Sequence, residues 1–306
     1  MIDRPLLKRI LSTDLKRPPR DDVRRAAADI VARHGETVAA VLFYGSGLRD
    51  DDPEAIVDLY VLVDDYGAFF RRRTPAAFNR LLPPNVMFLP SNGANAGFKV
   101  AVISRPQFRA RLAPGSRDTT LWARFCQPVA LAFARDDAAR DWAAEALGDA
   151  AATALHWAVR LGPDQGTADD YWSALFRHTY AAEMRVEGGG RAKTITGFAA
   201  ARYAAMTAAT DELVRAENGD LRRVVPAIEA TRARTAWARR RRIGKTLNIA
   251  RLAKALFTFD GGIDYIVWKL ERHSGQPIVL TPWQRRHPLL AAPFVLAALR
   301  RRGIVR

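Results

Sequence analysis

The sequence predicts an α+β protein: a small mixed β-sheet within residues 1–135, a helical region over 136–240, and a basic helical tail over 241–306. Three observations predict it. Short apolar runs bounded by Gly, Pro, Asn and Asp recur between residues 38 and 133, as strands do. From Asp136 onward the chain becomes rich in Ala, with apolar residues at helical spacing. Charge is segregated as well. Residues 1–220 carry 29 Lys and Arg against 28 Asp and Glu, whereas 221–306 carry 19 against 4.

Residues 21–34, DDVRRAAADIVARH, form the first expected helix, opened by Asp21 and Asp22 and closed by His34 and Gly35. The apolar run Val38–Tyr44 is a strand that enters the turn Gly45-Ser46-Gly47. A polar loop with Asp50, Asp51 and Asp52 leads to a second strand, Ile56–Val63, whose single acid is Asp58. A basic, proline-bounded segment follows over Arg71–Pro84. Short strands are expected at Val86–Leu89 and Phe98–Ile103, around an Asn/Gly loop, and at Pro128–Phe133. Helical periodicity marks 138–160, 168–184 and Thr194–Glu217, with Gly188–Gly190 between the last two. Residues 221–273 read as basic and mostly helical. Pro277, Pro282, Pro288 and Pro293 punctuate the tail.

Composition bounds the class. With 306 residues, 49% of them hydrophobic, the chain can bury a core of its own. A single cysteine, Cys126, excludes an internal disulfide framework, and no Cys/His cluster has zinc spacing. No stretch has the eighteen or so apolar residues of a membrane span. The longest apolar run, Leu289–Leu299, is interrupted by Pro293. A soluble or peripheral protein is expected. The basic end suits an anionic partner, either a bilayer surface or nucleic acid.

The chemistry concentrates in Val41–Asp65, VLFYGSGLRDDDPEAIVDLYVLVDD. A glycine at 45 lets backbone approach a phosphate closely, and successive N–H groups in such a turn make an anion nest. The Ser46 hydroxyl can donate to a phosphate oxygen. Ile56, Asp58, Tyr60 and Leu62 share one strand face, so Asp58 can face the turn from the neighbouring strand and hold Mg²⁺ beside the phosphates. This is how a nucleotidyltransferase holds a nucleoside triphosphate and its metal. The general pattern has two acids two residues apart on this strand; here the second position is Tyr60. Asp64 does not substitute, since six strand residues put it about 20 Å away.

Several short segments, in order along the chain, resemble the mitochondrial-type phosphatidate cytidylyltransferases, the peripheral CDP-diacylglycerol synthases, which also occur in bacteria. They are FYGSG and DLYVLVDD, Asn92–Val102 (NGANAGFKVAV), Ala123–Val129 (ARFCQPV), Tyr180–Arg185 (YAAEMR) and Lys254–Thr258 (KALFT). In that family the second strand acid is absent, as at Tyr60. The resemblance implies a nucleotidyltransferase-like mixed-sheet domain, a smaller helical, winged-helix-like domain, and basic C-terminal helices that dock on an anionic membrane. It implies transfer of CMP from CTP to phosphatidate, with Mg²⁺ as cofactor, by a cytoplasmic protein peripheral to the inner face of the inner membrane. Nucleic acid is then not an expected partner. Asp58 and Glu183 are the implied catalytic metal ligands. Tyr44, Gly45, Ser46, Gly47 and Lys193 would bind the nucleotide, and Arg124, Arg185 and Lys254 the phosphate or lipid. Glu183 stands where the family has an acid and is longer by one methylene. The alternatives are an RNA-directed nucleotidyltransferase, a cytidylyltransferase acting on another lipid phosphate, and a degenerate, non-catalytic module for lipid surfaces.

Overall fold

The computed structural model of the chain describes residues 1–49, 56–90, 97–182, 191–258 and 276–286, with scattered positions beyond 266. A five-stranded mixed sheet has the order β3-β4-β2-β1-β5, formed by β1 (Val38–Tyr44), β2 (Val57–Val63), β3 (Asn85–Leu89), β4 (Phe98–Ser104) and β5 (Ala130–Ala134). Only β2 and β4 run parallel. The α+β class expected from the sequence is the class observed.

Alternation along the strands sorts residues onto two faces. Val41, Phe43, Leu59, Val61, Val100 and Val102 face one core, covered by α2 (Asp21–His34), α3 (Tyr66–Phe70) and α4 (Arg73–Leu81). Leu42, Tyr44, Tyr60, Leu62, Ala101 and Ile103 face a larger one. That second core is shared with α1 (Arg4–Leu15), α5 (Arg105–Leu112), α6 (Thr120–Phe125), α7 (Asp137–Leu161) and α8 (Ala168–Ala182). The core therefore runs continuously from the sheet into the helical region, across residue 135.

α7 begins where the sequence places it because the Asp136 carboxylate accepts from the Ala139 amide at 2.6 Å, an N-cap. Its buried alanines let neighbouring helices approach closely. α1 was not expected. Its signals are the Asp3 carboxylate capping Leu6 N at 2.8 Å and Leu7, Leu11 and Leu15 at a spacing of four, all buried.

The helix expected over Thr194–Glu217 is instead two short helices and a strand: α9 (Arg191–Phe198), α10 (Ala200–Thr207) and β7 (Leu213–Arg215). Ala199 breaks the first junction, with φ −131° and ψ 37°. At the second, Trp172 Nε1 donates to the Tyr203 carbonyl at 3.1 Å and the Thr207 hydroxyl donates to it at 2.7 Å. The chain then turns at Asn218-Gly219, with Gly219 at φ +84°, and β8 (Leu221–Arg223) pairs with β7. With β6 (Gln165–Gly166) these make a small three-stranded sheet.

The last long element is α11 (Ala227–Thr258), 32 residues and so about 48 Å long. It runs through the boundary expected at residue 240 and packs against α7 and α8. A short α12 (Pro282–Arg286) follows. Among the described residues no helix is long and apolar enough to cross a membrane.

Candidate active site

β1 ends at Tyr44, whose partner across the antiparallel pair is Asp58. The next residue, Gly45, has φ +92°, a conformation that side chains other than glycine's resist. A Cβ placed there would lie 2.9 Å from Asp58 Oδ2. The carboxylate thus rests directly on the glycine backbone, a cradle that any side chain at 45 would fill. Ser46 opens a tight turn, Ser46–Leu48, closed by Arg49 N donating to Ser46 O at 2.8 Å. Gly47 is buried against the Phe43 ring.

Asp58 is not sunk in dry core; its side chain keeps 25% of its exposure. Its recorded partner is Lys99, opposite it in the parallel β2–β4 pair, with Nζ 3.4 Å from Oδ1. Lys99 was missed from sequence. Its signal is a single charge in an apolar strand, at the inward parity it shares with Ala101 and Ile103. One carboxylate plus triphosphate oxygens is a set that suits Mg²⁺, which takes one or two carboxylates and keeps substrate phosphates as its other ligands. Among the described residues no cluster of three or more His, Cys, Asp or Glu could hold a metal without the substrate.

The same sheet face carries the site inward. Arg124, on α6, lies over the Tyr44 ring at 5.6 Å. Tyr60 is fully buried. Next to it is a cavity of about 130 Å³ lined by Tyr60, Thr120, Arg124, Asn248, Arg251 and Lys254, with Pro84, Val86 and Leu121. Lys254 reaches in from α11 and is nearly buried. Its ammonium donates to the Leu82 carbonyl and, at 2.6 Å, to the Pro84 carbonyl. That loop is held by Asn79, which donates to Val102 O at 2.9 Å and accepts from Asn85 N at 2.7 Å. Burial, then the charges of Arg251 and Arg111, pull the Lys254 pKa down to about 7. Arg251 is paired with Asp118, which is buried, and Arg111 stands 3.8 Å from the same carboxylate. Burial alone would raise the Asp118 carboxyl; Arg251, with the Thr120 amide and Arg111, more than offsets it, so Asp118 stays below the usual carboxylate range.

Of the residues expected from sequence, the structure brings together Tyr44, Gly45, Asp58, Arg124 and Lys254, with Ser46 and Gly47 in the adjoining turn. Lys193 is exposed on α9, where Asp170 is a charged neighbour; among the described residues no contact joins it to the turn. Glu183 and Arg185, with Asp50, Asp51 and Asp52, lie outside the described residues. Asn248, Arg251 and Thr120 were not singled out from sequence, because only the return of α11 and α6 to the sheet puts them there. Cys126 is buried, which pushes its thiol up to about 12, so it is no nucleophile.

No family model and no curated protein matches the chain. Solved structures do match, among them a nucleotidyltransferase-like protein from Exiguobacterium sibiricum 255-15. The two chains share 11% identity with a TM-score of 0.29 over 92% of each. A TM-score this low lends no weight to a functional reading; the geometry of the turn and the cavity does.

Proposed function

We propose that this chain transfers CMP from CTP to the phosphate of a membrane lipid, phosphatidate in the first place, giving CDP-diacylglycerol and pyrophosphate. The single observation that supports this most is the Asp58 carboxylate lying on the Gly45 backbone, two residues along the same strand face from Tyr60 and its cation-lined cavity. The turn would cradle the triphosphate through its N–H groups and the Ser46 hydroxyl. Asp58 would hold Mg²⁺ together with the phosphates, and the ion, when bound, supplies charge neutralisation. Glu183 is a candidate second ligand from the sequence resemblance alone.

In the reaction, an oxygen of the lipid phosphate forms a bond to the α-phosphorus. The bond from that phosphorus to the bridging oxygen breaks, and its electron pair leaves with pyrophosphate. A phosphomonoester has its second pKa near 6, so the attacking oxygen is already ionised at neutral pH and needs no strong base. What remains for the protein is positioning and charge compensation. Arg124 and Lys254 would steady the acceptor phosphate.

A second reading, transfer to RNA, is compatible with one feature. From residue 230 to its end α11 has no acid, and Arg232, Arg234, Arg239, Arg241, Arg242 and Lys245 are exposed on it. Such a face suits a phosphodiester backbone or an anionic bilayer equally.

The test is incubation of the purified chain with Mg²⁺, labelled CTP and phosphatidate in mixed micelles, followed by chromatography. A CDP-lipid is expected with the wild type. Asp58→Asn should reduce its formation by about a hundredfold or more, because the lost metal site is worth several kcal/mol. Labelled RNA in place of CDP-lipid, when RNA is offered, would replace the first reading with the second.

A further inference from the structure

Two of the residues that line the cavity at Tyr60 carry buried hydrogen-bonding atoms. Tyr60 Oη and Asn248 Nδ2 are both buried, and neither finds a hydrogen-bond partner among the described residues. Leaving such groups unpaired is costly, so a ligand that accepts a hydrogen bond from both would be favoured there. Burial raises the Tyr60 pKa, so its hydroxyl stays protonated and can donate. Asn248 Nδ2 is a donor by nature. The other polar groups on the wall, Thr120, Arg124, Arg251 and Lys254, can donate too, and among the described residues no carboxylate lines the cavity. Asp118, the nearby acid, is engaged by Arg251. A donor-rich, cationic wall calls for a partner with several acceptor oxygens and negative charge.

Size narrows the choice. At roughly 30 Å³ per water, 130 Å³ is the space of about four waters. One phosphate group fits. Position agrees: Tyr60 is two residues from Asp58 on the same face of β2, so their Cα atoms are about 7 Å apart.

We propose that this cavity is a phosphomonoester subsite in which Tyr60 and Asn248 donate hydrogen bonds to the oxyanion between Arg124 and Lys254. That the phosphate is the lipid acceptor's rests on the function proposed above; that the cavity takes a phosphomonoester does not. Anion binding would restore the positive charge of Lys254 and so take up a proton just above neutral pH.

The experiment is calorimetric titration of the full chain with inorganic phosphate, for the wild type and for Tyr60→Phe and Asn248→Leu. Each variant should weaken phosphate binding about ten- to a hundredfold, the worth of one hydrogen bond to a charged group. Melting of Tyr60→Phe in phosphate-free buffer should be unchanged or higher, since the variant removes only a hydroxyl without a partner. That result separates lost binding from lost fold. Wild-type heat that varies with the ionisation enthalpy of the buffer would report the proton uptake. No phosphate binding by a folded wild type, or equal binding by the folded variants, overturns the subsite. Two further titrations keep this separate from the function. Short-chain soluble phosphatidate that displaces inorganic phosphate makes the lipid the carrier; failure to displace it makes free phosphate the ligand. Phosphate binding in a chain that does not bind Mg·CTP would sink nucleotidyl transfer and leave the subsite standing.

Discussion

Gly45 and Asp58 constrain each other. The glycine sits at φ +92°, and the space its missing Cβ leaves is occupied by a carboxylate oxygen. Gly45→Ala should therefore act twice, by backbone strain of about 1–3 kcal/mol and by displacing Asp58. The expected outcome is a lower melting temperature together with weaker Mg·CTP binding; a variant that melts lower yet binds Mg·CTP as the wild type does would uncouple the two residues. Lys254 gives a pH signature. Its folded pKa of about 7 lies below its ordinary 10.5. Between those values the unfolded chain holds a proton that the folded chain does not, so this contribution to stability rises with pH across that window and is lost as pH falls toward 7. Chemical denaturation across the window should show that rise in the wild type and a flatter profile in Lys254→Met. At this scale much was legible from sequence. A Gly-Ser-Gly turn after one strand and a lone acid on the next fix a facing pair through strand parity alone. Tyr60 was legible only as an acid that is missing. Its role as a buried donor depends on α6 and α11 closing over the sheet, and no local pattern encodes that closure.

Among the elements, α11 carries the most consequence. Trp237 anchors it edge-on to Trp157 of α7 at 5.3 Å and to Trp122 of α6 at 6.0 Å. Arg240 stacks over the Trp157 ring at 4.4 Å and donates to the Ser116 carbonyl at 3.2 Å. About three turns further on, Arg251 meets Asp118, and about one turn beyond that Lys254 enters the cavity. The helix thus closes the inner end of the site. Asp118→Ala should cost about 3–5 kcal/mol, because it strands Arg251, and Arg111 behind it, without a counter-charge in a buried place. Urea denaturation measures this; a loss below about 1 kcal/mol would mean that the pair is solvated. Periodicity in the sequence located α2, α7 and α8 almost to the residue, since their caps and apolar stripes are local. It failed over 194–217. An Ala-rich run reads as one helix, whereas the break at Ala199 and the capture of Tyr203 O by Trp172 are tertiary events.

Over the whole molecule, charge and core are arranged in opposite senses. The core is shared between the sheet and the helices, while nearly all of the +16 net charge falls after residue 220. The exposed face of α11 extends that field along about 20 Å, from Arg232 to Lys245. A second cleft, of about 570 Å³, lies between this face and the 115–117 loop and is lined by Arg117, Arg232, Arg239 and Arg240, among others. It shares no lining residue with the cavity at Tyr60. If α11 meets an anionic bilayer, each cation near the surface is worth about 1 kcal/mol. Combined Arg239→Glu, Arg241→Glu and Arg242→Glu should then abolish sedimentation with phosphatidylglycerol vesicles while leaving the melting temperature within a few degrees. Unchanged vesicle binding would assign the membrane contact elsewhere in the basic tail, where Trp283 is exposed.

The most direct measurement is an equilibrium titration of CTP into the full chain, with and without Mg²⁺, repeated on Asp58→Asn. Wild-type binding should depend on the metal, and the variant should keep its fold while losing that dependence. Equal, metal-dependent binding by the two proteins would contradict a shared grip of the Gly45 turn and Asp58 on the nucleotide.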